Sequence, residues 1–128
     1  MIQRFIELGE GYGDSFELCE LARVNKDRIY RAFIFTSPKN GKEVISIAIA
    51  LKPVNDTNFF PIYICREGIP QTLPESKRLS TFTETLKELH VEPIRISIKH
   101  SSTFADNDLF YQYIIGILRL NHYIPPFH

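Results

Sequence analysis

Hydrophobic residues recur along this chain with two periods, every second residue as in a strand and every third or fourth as in a helix. The clearest strand is Glu43 to Lys52, which alternates by side-chain size. Its bulky face carries Ile45, Ile47, Ile49 and Leu51, and its shallow face carries Val44, Ser46, Ala48 and Ala50. We expect the bulky face to pack on helices. The shallow face is either packed closely by the protein itself or leaves room for a partner or a ligand.

This strand forms one arm of a predicted hairpin. Arg28 to Ser37 is the other arm, and Asn40-Gly41 between the arms suits a tight turn with positive φ angles. Ile2 to Leu8 and Phe59 to Arg66 read as further strands. Ile94 to Lys99 alternates isoleucine with Arg, Ser and Lys, which predicts a strand with one wet face at a sheet edge.

Three helices are predicted from caps and apolar faces. Asp14 caps the first helix, with Glu17 completing a capping box, and Pro74 opens the second, which runs to about His90. Asp106 caps the third, in which Leu109 to Leu120 is apolar around most of the circumference. This third helix is therefore expected in the core.

Gly116 interrupts the third helix, and two explanations stay open. It permits close approach by another backbone, such as a second copy of the chain, or it is a tolerated surface glycine.

The predicted order is strand, helix, three strands, helix, strand, helix. That order is typical of an α+β domain with a mainly antiparallel sheet, here with a buried C-terminal helix. The length of 128 residues predicts one domain over residues 1–128.

The composition limits the classes of partner and the cellular location that we expect. Fifteen basic residues balance fifteen acidic ones, so nucleic acid is an unlikely partner, with Arg95, Lys99 and His100 as the best local basic surface. The N-terminus lacks a signal-peptide pattern and the third helix is too short for a membrane span, so we expect a cytoplasmic protein without membrane contact. The apolar tail, residues 123–128, is expected to fold back onto the domain or to dock on a partner.

Candidate chemistry is sparse. The glycine-rich turn from Gly9 to Gly13 joins a strand to a helix and could hold a phosphate, but the charges of Asp14 and Glu17 oppose an anion there. The candidate ligand-binding residues are those of the turn, one on the shallow face and three at a strand end: Gly11, Gly13, Asp14, Ser46, Cys65, Arg66 and Glu67. In an extended strand Cys65 and Arg66 point to opposite faces, so a buried thiol beside a surface Arg is expected. We expect no metal site, because the four histidines lack close ligand spacing. We expect no catalytic residue and no cofactor, because the sequence has no P-loop lysine motif and no Gly-x-Ser-x-Gly elbow.

The order of elements from the first helix onward resembles the core of the restriction-endonuclease-like nucleases. Those enzymes hold a metal through an acid-x-Lys triplet on a strand. The one such triplet here, Glu75-Ser76-Lys77, falls at a predicted helix start, so an inactive relative of that fold, binding nucleic acid, is the form this resemblance implies.

A second resemblance is carried by three segments: residues 1–14, which begin Met-Ile-Gln-Arg-Phe-Ile-Glu, the segment Glu17 to Ala22, and Leu109 to Pro126. They resemble a functionally uncharacterised family of short proteins from Bacillus and related Firmicutes, which supplies no site residues.

The leading hypothesis is a small non-catalytic binding or interaction module, expected to be a homodimer. The alternative is an enzyme or small-molecule-binding protein with a pocket near the Gly9 to Asp14 turn.

Overall fold

A computed structural model describes residues 2–54, 58–71 and 75–126 of the protein. The strands are β1 (Ile2–Glu7), β2 (Ile29–Lys39), β3 (Lys42–Leu51), β4 (Phe59–Pro70) and β5 (Ile94–Ser97). The helices are α1 (Tyr12–Val24), α2 (Lys77–Glu88) and α3 (Asn107–Leu120), with short 3-10 turns at Lys26–Arg28 and Ser101–Thr103. The predicted α+β order is confirmed. No helix of these residues is long and apolar enough to cross a membrane.

The five strands form one mixed sheet in the order β1-β4-β3-β2-β5. The central pairs β2/β3 and β3/β4 are antiparallel, whereas the edge strands β1 and β5 run parallel to their neighbours β4 and β2. The predicted hairpin is confirmed: Lys39 pairs with Lys42 across a two-residue turn in which Asn40 and Gly41 have φ values of 50° and 79°. The predicted edge position of β5 is confirmed as well.

Helices cover both faces of the sheet. The bulky face of β3 packs under α1 and α2, in a cluster that includes Leu18 and Phe82. The shallow face packs against α3 and the aromatic residues of β2, and Ser46, Ala48 and Ala50 are all 0% exposed. The protein's own side chains therefore fill the space that small residues leave on this face.

α3 contributes a narrower buried surface than its sequence predicts. Only Phe110, Ile114 and Leu118, one residue per turn, are fully buried against the sheet. Leu109 is 46% exposed and Leu120 is 80% exposed, and the side of Gly116 faces open space. The reason is geometric: a helix lying on a sheet touches it along one stripe, and the described residues provide no second layer above α3.

Two of the three expected helix starts can be compared with the structure. α1 begins at Tyr12 with Gly11 as its N-cap, so Asp14 is not the cap; it lies one turn in, and its Oδ2 accepts the Gly11 N–H at 3.1 Å. Asp106 does cap α3, accepting the Leu109 N–H at 2.9 Å. Pro74, the expected first residue of the second helix, lies outside the described residues, and Ser76 is the N-cap there. The Glu75-Ser76-Lys77 triplet thus leads into a helix, as predicted.

The C-terminal tail folds back onto the domain as far as it is described. Ile124 is 1% exposed within the α3-side core, and the Pro125 carbonyl accepts a bond from Gln3 Nε2 at 2.6 Å. Phe127 and His128, which belong to the same predicted segment, lie outside the described residues.

Candidate functional site

A bulge in β4 interrupts the pairing of this strand with β3. Ile45 pairs with Ile69 and Ile47 pairs with Cys65, so three residues of β4 face the single residue Ser46. Glu67, the middle residue, has φ 53°, a left-handed value that costs a residue with a side chain about 1 kcal/mol or more. Ser46 Oγ accepts the Glu67 N–H at 2.8 Å and so holds this conformation.

Gly68, the residue after Glu67, has no side chain and so allows the bulge to pack closely against the turn from Gly9 to Gly13. A Cβ at this position would lie 2.8 Å from the Glu10 carbonyl oxygen, closer than side chains tolerate. Arg78 joins the same two backbones, donating to the Glu10 carbonyl at 2.7 Å and to the Gly68 carbonyl at 2.5 Å. The bulge, the turn and the start of α2 are therefore fixed against one another.

Glu67 is a buried carboxylate, with 6% of its side chain exposed. Its Oε2 contacts His100 Nε2 and accepts the Ser101 N–H at 3.3 Å. Its Oε1 has no hydrogen-bond partner among the described residues and lies 4.0 Å from Arg66 Nε. A buried carboxylate oxygen without a partner is costly, which makes this group a candidate for function.

The tautomer of His100 follows from its neighbours. Nδ1 accepts the Ser102 N–H at 3.1 Å, so the lone pair is on Nδ1 and the ring proton is on Nε2, where it is donated to Glu67.

Ser102, His100 and Glu67 superficially match the nucleophile, base and acid of a hydrolase. Ser102 Oγ lies 2.9 Å from His100 Nδ1. A general base needs a lone pair free for the hydroxyl proton, and here the Ser102 backbone N–H already occupies it. The arrangement is better explained as His100 capping the 3-10 turn Ser101–Thr103.

Arg66 extends this buried pair to the surface. Its Nε lies 3.2 Å from Glu7 Oε1 and its Nη1 donates to Asn107 Oδ1 at 2.6 Å. The Tyr111 hydroxyl donates to the same Glu7 oxygen. Burial, and then the hydrogen bond to Glu7, raise the pKa of Tyr111 above its usual range. The polar chain from Tyr111 to His100 thereby links β1, α3 and β4.

Two cavities meet at Glu7. The smaller, about 120 Å³, is lined by Glu7, Gly9, Glu10 and Arg66. The larger is a groove of about 700 Å³ between β1 and α3, and it is lined by Gln3, Arg4, Phe5, Glu7, Asn107, Asp108, Tyr111, Gln112 and Ile115.

One wall of this groove is the outer edge of the sheet. The Ile2 N–H donates to the carbonyl of Asn58, directly before β4, and the Leu8 N–H donates to Ile64 in β4, so the even-numbered residues of β1 direct their backbone groups inward. The backbone N–H and C=O groups of Gln3, Phe5 and Glu7 must then point outward, because the direction alternates along a strand. Among the described residues, no strand pairs with this edge.

α3 holds the edge strand in place. Arg119 Nε donates to Gln3 Oε1 at 2.5 Å, and the Phe5 ring stacks on Tyr111 with centroids 4.6 Å apart. Glu7 is bonded to the Tyr111 hydroxyl. Gln3, Phe5 and Glu7, whose backbone groups point outward, are thus all held by side-chain contacts to α3, and Gln3 and Phe5 are each only 8% exposed.

The predicted site residues fall into two groups on opposite faces of the sheet. Cys65 Sγ lies 3.4 Å from the Asp14 carbonyl oxygen, and Asp14 is bonded to Gly11, on the α1 side. The other group, on the α3 side, consists of Ser46, Arg66 and Glu67. Gly13 is exposed, with open space around it.

The opposite orientation of Cys65 and Arg66 is confirmed. Cys65 is 3% exposed, and burial, the largest cause, raises the pKa of its thiol to about 12. A thiol that resists ionisation is a poor nucleophile at neutral pH.

The residues that sequence reasoning missed are Glu7, Asn107 and Tyr111, and it assigned His100 to the wrong surface. His100 is 9% exposed and bonded to Glu67, so it does not belong to a basic surface with Arg95 and Lys99. The one sequence signal for the buried cluster was Glu67 directly before a glycine at the predicted end of a strand, although β4 continues through that glycine to Pro70. Within the described ranges, no three His, Cys, Asp or Glu side chains are placed to hold a metal ion.

A family model described as a domain of unknown function, DUF7147, matches residues 1–124. No curated protein and no solved structure matches the chain.

Proposed function

Because the chain belongs to the DUF7147 family, a domain of unknown function, we propose its function from the structure: it is a non-catalytic interaction module that binds an extended polypeptide strand. The binding surface is the outer edge of β1 together with the groove beside α3. The observation that carries the proposal is this unpaired edge opening onto a groove of about 700 Å³.

Strand addition supplies the binding energy through backbone hydrogen bonds. An incoming strand would pair with the N–H and C=O groups of Gln3, Phe5 and Glu7, and its side chains would enter the groove against α3. Because the anchored side chains already fix the edge, binding orders little of this protein.

The walls of the groove favour a bound strand that carries both apolar and charged side chains. Phe5, Tyr111 and Ile115 supply apolar surface, while Arg4 at one end and Glu7 and Asp108 toward the other supply opposite charges. Such walls suit a segment that alternates apolar and charged side chains. The proposal includes self-association of the protein. It also includes a cytoplasmic location, because the free thiols of Cys19 and Cys65 fit a reducing compartment.

A matched pair of variants at Gln3 tests the proposal. Gln3→Pro removes an outward N–H and places a ring on the edge, whereas Gln3→Ala removes the same side-chain contacts and keeps the N–H. We expect a random 12-residue peptide library displayed on phage to yield binders to the unmodified protein. Gln3→Ala should retain these binders, and Gln3→Pro should weaken them about tenfold. Equal binding by both variants contradicts the proposal, and so does a library without binders if the protein is a monomer.

A specific observation favours a second candidate, binding of a small molecule near the Gly9 to Asp14 turn. The cavity of about 120 Å³ beside that turn presents two carboxylates, Glu7 and Glu10, and the Arg66 guanidinium. A thermal-shift screen with small amines and amino acids tests it. A stabilising compound should lose its effect in Glu10→Gln, because that variant removes a charge from the cavity wall and leaves the Glu7–Arg66 pair intact.

A further inference from the structure

We propose that the strand occupying this edge is β1 of a second copy, paired antiparallel and centred on Phe5, so that the sheet continues from one protomer into the other. This inference rests on the proposed function, since it names the partner for the same edge. A two-fold axis makes the surface complementary to itself, and a β1 edge is then the partner of a β1 edge.

The hydrogen-bonding pattern selects among the possible registers. Opposed residues in an antiparallel pair lie on the same face of the sheet, so the two-fold axis passes through a residue of β1. An axis through Phe5 pairs Gln3 with Glu7 of the second copy and Phe5 with its own copy. All three outward residues then exchange two bonds each, about six in total.

Charge excludes two of the other registers. An axis through Arg4 sets Arg4 against its copy, and an axis through Glu7 sets Glu7 against its copy; like charges directly opposed destabilise strand pairs. An axis through Ile6 avoids this conflict but pairs only Phe5 with Glu7 of the second copy, giving about four bonds. The Phe5 register therefore has the most bonds and no like-charge pair.

The same register covers exposed apolar surface. Ile2, which is 51% exposed, would lie opposite Leu8 of the second copy, and Ile6 would lie opposite the aliphatic stem of Arg4. On the other face of the sheet, the groove wall formed by Asp108, Gln112 and Ile115 would face the same wall of the second copy. An edge strand left open risks uncontrolled pairing, and a closed two-fold dimer removes that risk.

Disulfide trapping tests the register directly. Arg4 and Ile6 of the second copy form a non-hydrogen-bonded pair with Cα atoms about 4.5 Å apart, a distance that suits a disulfide. We expect Arg4→Cys/Ile6→Cys to oxidise to a covalent dimer on a non-reducing gel. A mixture of the two single variants should crosslink as well, and neither single variant should crosslink alone.

Sedimentation of the unmodified protein provides a measurement that does not depend on new cysteines. It should show a dimer at high micromolar concentration, and Gln3→Pro, which removes a paired N–H, should raise the dissociation constant about tenfold more than Gln3→Ala, which keeps that N–H. A monomer that still binds library peptides overturns the second-copy inference and leaves the interaction module standing. A monomer without peptide binders overturns both, and crosslinking of Arg4→Cys alone overturns the Phe5 register.

Discussion

His100 donates its Nε2 proton to the carboxylate of Glu67, and both side chains are buried. Glu67 sits at the strained centre of the β4 bulge, and His100 caps the turn that leads into α3. This one contact therefore ties the central sheet to the segment that places α3 over the β1 edge. Its loss should affect the stability of the whole α3 layer.

Substitution of His100 is the direct test of that contact. His100→Ala leaves the Glu67 carboxylate buried with its strongest partner removed, so we expect unfolding free energy to fall by about 2–4 kcal/mol in urea denaturation. Glu67→Gln is the matched control, because its amide oxygen can still accept from Nε2, and it should cost about 1 kcal/mol. A loss below about 0.5 kcal/mol for His100→Ala would mean that the contact contributes little.

Two glycines give opposite predictions for the same substitution. Gly116→Ala should raise unfolding free energy by about 0.5–1 kcal/mol, because the site is helical and a Cβ meets nothing within 4 Å. Gly68→Ala should lower it by about 1–3 kcal/mol, since its Cβ would lie 2.8 Å from the Glu10 carbonyl oxygen. Urea denaturation at low protein concentration measures both. Destabilisation by Gly116→Ala would show that another element packs against that side of α3.

The docked tail yields a third prediction. Ile124 is 1% exposed, so Ile124→Ala should cost about 2–4 kcal/mol through the cavity it leaves. Leu120→Ala removes a similar side chain that is 80% exposed and should change stability by less than about 0.5 kcal/mol. Chemical denaturation of both variants distinguishes a tail that is part of the core from one that merely rests on it. Equal effects would contradict the burial of Ile124.

The features that sequence predicts well here are those fixed by neighbouring residues. Asn40-Gly41 specifies a hairpin because few residue pairs accept two successive positive φ angles, and the alternation of β3 specifies which face meets α1 and α2. The order of elements follows from such local signals. The start of α1 differs from the prediction: the helix begins before Asp14, because Gly11 itself adopts the extended conformation of an N-cap.

The candidate site could not be assembled from sequence because its members come from distant segments. Glu67 meets His100 only after a bulge turns its side chain, and Glu7 meets Tyr111 only after α3 crosses β1. The overestimated burial of α3 has a related cause. Apolar periodicity shows which residues could be covered, but only the packed layers show how much surface is present to cover them.

The Cys65 thiol gives a prediction for the dependence of stability on pH. Burial raises the pKa of this thiol from 9.0 to about 12 in the folded protein. As pH rises above 9.0, the unfolded chain loses this proton while the folded protein keeps it, so the contribution is complete below 9.0 and declines toward 12. Each pH unit in this window removes up to about 1.4 kcal/mol.

Comparison with Cys65→Ala isolates that contribution, because the other groups that titrate in alkali are shared. We expect the unmodified protein to be more stable than the variant at pH 8, and the difference in unfolding free energy to shrink by about 1–2 kcal/mol by pH 10.5. Iodoacetamide should also modify native Cys65 far more slowly at pH 8 than it modifies the urea-unfolded chain. A stability difference that stays constant with pH, together with rapid native alkylation, would show that Cys65 ionises as an exposed thiol does.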